Sequence, residues 1–227
     1  MTSEHGPATA AGGVTVFGAA YSVYVRIVRL ALAEKGVACE LREVDIFAAG
    51  GPDPAYLARQ PFGRIPLFRH GDFWLYEAGA IARYVDDTFD GPPLQLTAPR
   101  DRARMNQVIG ILDRYAYRTL IWDIVVERVF APADGRVPDE ARIAAAVPRA
   151  KTCMTAIEDL MDGGAWLAGP APTLADLHAA PMFAYFTRAA EATAVLARRG
   201  RLATWWQAMA ERPAMAATRF PLETEAM

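Results

Sequence analysis

Cysteine and histidine are scarce in this chain: two cysteines and three histidines in 227 residues. Cys39 and Cys153 lie far apart and form neither a CxxC pair nor metal-ligand spacing, and a chain of this size needs no disulfide staples. A zinc module and a cystine scaffold are therefore excluded, and a reducing, cytoplasmic setting fits. No apolar run is long enough to span a bilayer, and the small, polar start "MTSEHGPATAAGG" lacks the charged and apolar regions of a secretory leader. Residues 1–13 read as a disordered arm. An excess of one charge is also missing: the formal net charge is −2 and the basic residues are spread along the chain, which leaves no electrostatic footprint for nucleic acid. A GxSxG elbow is absent, and no histidine is placed by motif, so a serine hydrolase ranks far down. What remains is 53% hydrophobic and 22% charged, enough to bury a substantial core in one large or two small domains.

Hydrophobic periods alternate from Val14 to about residue 90. "VTVF" is short and β-branched, and leads through Gly18 into "YSVYVRIVRLALAEKG", where Val25, Val28 and Leu32 share a helical face. Lys35 and Gly36 form a normal helix stop. "CELREVDI" reads as a second strand, and after the loop "AAGGPDP" comes a short helical segment around Ala55 to Arg59. "RIPLFRHGDFWLYE" is two apolar runs joined at His70, Gly71 and Asp72, a hairpin, and "EAGAIARYVDDTF" is helical. The Pro-rich stretch 91–98 reads as a linker. From Pro99 no convincing strand appears. A long helix or kinked pair spans Asp101 to Phe130, and further helical patterns run from Asp139 to Met161, from Thr173 to about Ala194 and from Arg201 to Glu211.

Three stretches carry possible chemistry. Ser22 stands where a helix begins, and there the unpartnered N–H groups and helix dipole stabilise an anion to which a hydroxyl can also donate. Taken alone, Ser22 is simply a preferred N-cap residue. In "QPFGRIPLF", Pro66 inside an apparent strand implies an edge, a bulge or a cis peptide. A cis bond would turn the Ile65 N–H and C=O toward an extended, peptide-like ligand. In "LYEAGAI", Glu77, Ala78 and Gly79 open a helix, a second place for an anion, and Glu77 could accept from an ammonium group; a first-turn acid is also a common complement to the dipole.

In this order on this topology, the chain resembles a serine-type, bacterial-like cytosolic glutathione transferase. "YSVYVRIVRLALAEKG" is similar to the family's first strand-helix segment, "PFGRIP" to its cis-proline loop and "LYEAGAIARYV" to its glutamate-containing helix start. "WLAGPAPTLADLHAAP" and "TWWQAMAERPAM" resemble motifs of its helical domain, and the likeness covers roughly residues 14 to 220. It implies an α/β thioredoxin-like domain over 14–90 that binds glutathione, then an all-α domain over 99–220 that lines an electrophile pocket, with a tail over 221–227. Glutathione would be the co-substrate, with no metal, and a detoxifying homodimer is implied. Ser22 falls where serine-type members hold the glutathione thiolate, and Tyr21 and Tyr24 compete for that role. Ile65 would pair with the cysteinyl backbone, Pro66 would be the cis proline, Glu77 and Ala78 would receive the γ-glutamyl end, and Arg64 would reach the glycine carboxylate.

Two departures matter. Many relatives carry serine where Ala78 stands, which predicts weaker glutathione binding here, since a hydrogen bond to a charged acceptor is worth roughly 1.5–3 kcal/mol. Val23 replaces a frequent proline and costs pre-organisation. Among the helical aromatics, Trp122 reads as core, and Tyr115 and Tyr117 are candidates for the pocket, of which two-residue spacing lets only one point inward. Thr173 and Asp176 read as a capping box worth about 1 kcal/mol, and His178 as a packing or surface residue. Lowering a thiol from its reference pKa near 8.5 by about two units needs roughly 2.7 kcal/mol. A hydroxyl donor at about 1.5–3 kcal/mol and a helix start at about 0.3–1 kcal/mol can supply it. Ser22 would then stabilise the thiolate that attacks a small hydrophobic electrophile. The rival reading is a non-catalytic carrier of glutathione or a hydrophobic ligand on the same fold.

Overall fold

A computed structural model describes residues 13–161 and 163–224. The arm expected over 1–13 lies outside the described residues except for Gly13. The order begins β1 (Val14–Phe17), α1 (Val23–Glu34), β2 (Glu40–Arg42), α2 (Pro54–Leu57), β3 (Leu67–His70), β4 (Phe73–Tyr76) and α3 (Ala78–Thr88). The four strands form one mixed sheet in the order β2-β1-β3-β4, β1 pairing parallel with β2 and antiparallel with β3, and β3 antiparallel with β4. This is the thioredoxin-like arrangement. Val14, Thr15 and Val16 of the central β1 are all buried, so both faces of that strand are covered. The second strand is shorter than its pattern suggests: only Glu40–Arg42 pairs, because this edge strand is half in solvent and gains little from extending.

The second half is helical: α4 (Pro99–Ile111), two π-type segments (Leu112–Ala116 and Arg118–Phe130), α5 (Ala131–Ala133), α6 (Glu140–Leu160), α7 (Leu174–Phe186), α8 (Glu191–Leu196), α9 (Gly200–Ala210), α10 (Pro213–Ala217) and α11 (Pro221–Thr224). The long helix expected after residue 100 thus widens at Leu112, where the Tyr117 N–H bonds five residues back to the Leu112 carbonyl. The helix expected to run on to about Ala194 stops at Phe186 and restarts at Glu191. The segment from 221, expected as a tail, is helical to Thr224.

The sequence period gave α1 one apolar face, yet it is buried on nearly all sides, packed by α3, α7 and α10. Even Arg26 is fully buried, paired with Glu223 and lying over Phe220. The linker is pinned too. Asp86 accepts from Lys35 Nζ at 2.9 Å and from the Leu94 and Gln95 N–H groups, and the Leu94 carbonyl accepts from Leu174 N–H at 2.9 Å. These bonds tie the sheet-bearing half to α7.

Candidate active site

The site grows from the loop between β1 and α1. Gly18 has φ +153°, and a Cβ placed on it would meet Val25 Cγ2 at 2.4 Å and Ile65 Cβ at 3.1 Å. Only a glycine lets the start of α1 and the Ile65 loop close on each other. Glu43 Oε1 accepts from the Ala20 N–H at 3.3 Å, and Ser22 N–H donates to the Ala19 carbonyl at 3.0 Å. Ser22 is the N-cap of α1, with extended backbone (φ −77°, ψ 128°), and its Oγ accepts from the Val25 N–H at 3.4 Å. The hydroxyl proton is left to donate outward, and the N–H it accepts polarises it toward donation. Ser22 itself is half-buried, at the edge of solvent.

Across from it, the Ile65–Pro66 peptide bond is cis, and the β1–β3 ladder begins only at Leu67, so Ile65 lies just beyond the paired backbone. Glu77 is exposed, with φ +73° and ψ 109°, and caps α3 without a side-chain bond into the helix. A non-glycine residue in this region costs of order 1–3 kcal/mol, and such outliers gather at ligand clamps. Ala78 is nearly buried, at 5% exposure. Arg64 is exposed and its charge reaches Tyr117, so this loop faces the π-type segment of the helical half.

The structure separates the tyrosines. Tyr117 packs its ring against Tyr24, centroids 4.7 Å apart, and carries a raised pKa through burial. Tyr115 is 62% exposed and makes no such ring contact among the described residues, so of the two candidates it is Tyr117 that faces α1. Burial, then the charge of Asp113, pushes the Tyr24 phenol far up. A buried phenol beside a carboxylate is poorly placed to stabilise a second negative charge. Tyr21 is 42% exposed, its phenol is pushed up by burial and by Asp45 and Glu43, and its backbone carbonyl accepts from the Tyr185 hydroxyl. Ser22 is thus the candidate hydroxyl that stands at the start of α1 with, among the described residues, no neighbouring carboxylate raising its cost of donating to an anion.

Asp113 did not stand out in the sequence. One face of it is in solvent, yet dense packing pushes its carboxyl up to about 6, against the pull of Tyr24 and Arg83. Its position four residues before Tyr117, one helical turn away, is the signal that could have found it. Neither cysteine joins the site. Cys153 is buried on α6 and Cys39 lines a hollow with Arg29 and Thr218, two turns along α1 from Ser22; burial raises both thiols. His178 is fully buried, its Nδ1 2.7 Å from the Leu174 carbonyl and its Nε2 without a partner beneath Gly79. Among the described residues no group of three or more His, Cys, Asp or Glu could hold a metal ion. No helix there is long and apolar enough to cross a membrane.

Known proteins show the same organisation. The family model "Glutathione S-transferase, N-terminal domain" matches residues 16–93, and "Glutathione S-transferase, C-terminal domain" matches 117–213. Glutathione S-transferase 4 of Zea mays is 33% identical over 206 residues, covering 88% of this chain and 89% of the relative. Glutathione S-transferase F9 of Arabidopsis thaliana is 30% identical over 185 residues, covering 81% and 86%. A solved structure of glutathione S-transferase III in apo form superposes with a TM-score of 0.82 at 29% identity, covering 94% of this chain and all of that one. The chain belongs to the glutathione transferase family, enzymes that use glutathione as co-substrate.

Proposed function

We propose that Ser22 holds the thiol of bound glutathione as a thiolate, which then adds to, or displaces a leaving group from, a small hydrophobic electrophile. The observation that carries this is the Ser22 side chain at the first turn of a twelve-residue helix, accepting from Val25 N–H and free to donate. A hydroxyl and a helix dipole together supply the roughly 2.7 kcal/mol needed to shift a thiol by about two units. Ser22 acts by electrostatic stabilisation, and the attacking atom belongs to glutathione.

The glutathione backbone would lie along Ile65 beside the cis Pro66, with its γ-glutamyl end at Glu77 and the start of α3. Arg64 supports a contact with the glycine carboxylate only if its side chain turns from Tyr117. Tyr24 and Tyr117 would form one apolar wall for the electrophile, from opposite halves of the chain. Family membership supports a homodimer in the cytoplasm as part of the same reading.

Conjugation kinetics with an aryl halide test it. Ser22→Ala should lower kcat roughly 10–100-fold, the equivalent of one hydrogen bond to a charged group, with glutathione affinity within about twofold of wild type. Unchanged kcat would overturn the assignment of Ser22. Ala78, which offers no hydroxyl to the γ-glutamyl carboxylate, favours a second reading as a carrier: saturable glutathione binding with no turnover of any electrophile would support it.

A further inference from the structure

We infer that Tyr185 is a positioning residue for Ser22: its hydroxyl, clamped by the C-terminal segment, fixes the peptide unit from which the Ser22 side chain projects. The inference rests on the reading of Ser22 given above. Tyr185 lies in the last turn of α7, 2% exposed, and its hydroxyl donates to the Tyr21 carbonyl at 2.8 Å across 164 residues of sequence. That carbonyl and the Ser22 N–H belong to one planar peptide unit. The N–H end is held by the Ala19 carbonyl at 3.0 Å, so the plane preceding Ser22 is fixed at both ends. With the Ser22 carbonyl held by the Arg26 N–H at 3.0 Å, the planes on both sides of Ser22 are set, and with them the direction of its Cα–Cβ bond.

Tyr185 is itself held. Its ring stacks on Phe220, centroids 4.0 Å apart and planes within 15°, and meets Phe130 edge-on at 5.4 Å. Phe220 is fully buried, with the Arg26 guanidinium 4.2 Å from its centroid, and its N–H donates to Glu223 at 2.7 Å. Arg26 bonds Thr218, the Met215 carbonyl and Glu223, and its own N–H closes the first helical bond to the Ser22 carbonyl at 3.0 Å. The segment therefore grips Ser22 from in front through Tyr185 and from behind through Arg26. Burial keeps the Tyr185 phenol protonated, with Arg26, Arg188, Glu223 and Tyr21 as the titratable groups facing it. Phe220 and Glu223 lie beyond the residues matched by the family model, which ends at 213.

The test is a double-mutant cycle read by ultraviolet titration of bound glutathione. Tyr185→Phe keeps the ring and its stacking and removes only the donor. It should raise the thiol ionisation by about 0.7 unit and lower kcat about fivefold below that pH, with glutathione affinity unchanged. In a Ser22→Ala background it should do nothing further. Phe220→Leu, which frees the Tyr185 ring, should shift the ionisation in the same direction by less. An unshifted thiol in Tyr185→Phe, or an equal shift on the Ser22→Ala background, would overturn the inference and leave the Ser22 reading standing. If Ser22→Ala alone leaves the ionisation at its wild-type value, the Ser22 reading fails, and this inference with it.

Discussion

Tyr24 on α1 and Tyr117 on the π-type segment meet with ring centroids 4.7 Å apart and planes inclined at 59°, a contact between the two halves of the chain at the cleft. The Tyr24 phenol is pushed up by burial and by the charge of Asp113, which disfavours it as a donor to a thiolate's negative charge. Tyr24→Phe should therefore leave the ionisation of bound glutathione within about 0.3 unit of wild type, since no thiolate bond is lost. A shift as large as that of Ser22→Ala would make Tyr24 the activating group.

Gly18 is where the site tolerates least change. A methyl there would sit 2.4 Å from Val25 Cγ2, at a φ that L-residues rarely adopt. Gly18→Ala should destabilise the fold by about 2 kcal/mol or more and lower the conjugation rate together with it. Chemical denaturation and steady-state kinetics on one preparation check both, and a variant with wild-type stability would show that the α1 and Ile65 contacts are looser than described.

His178 gives the fold a pH dependence of definite sign. Burial holds its folded pKa down at about 4, below the usual 6.5, so the native state binds fewer protons than the unfolded state between those values. Its effect on stability is absent above about pH 6.5, and stability falls as pH drops from there toward 4, by about 3 kcal/mol in all. The loss of unfolding free energy between pH 7.5 and 4.5 should be clearly smaller in His178→Leu than in wild type. Equal losses in the two would remove His178 as the cause.

The parts of the site legible in the sequence are those whose chemistry is local. Ser22, Pro66 and Glu77 each stand at the edge of an element, where a cap, a proline in a strand or a first-turn acid is readable within a few residues. What could not be read joins distant residues. Tyr185 reaches Tyr21 across 164 positions, and Arg26 reads as one more charge on a helix until Glu223 and Phe220 close over it. Asp176 shows the same limit. Its capping box with Thr173 is visible locally, but the carboxylate also accepts from Leu167 N–H and Trp205 Nε1, both at 2.8 Å, and so anchors the preceding loop and α9 as well. The division of labour between Tyr115 and Tyr117 likewise depends on which side of the widened helix meets α1.

The central claim is that Ser22 lowers the ionisation of the glutathione thiol. An ultraviolet difference titration of glutathione bound to wild type and to Ser22→Ala measures it directly. The account predicts a bound thiol ionising about two units below its free value near 8.5 in wild type, and a return toward that value in the variant. A depressed ionisation that survives Ser22→Ala, or a thiol unshifted in both proteins, would contradict it.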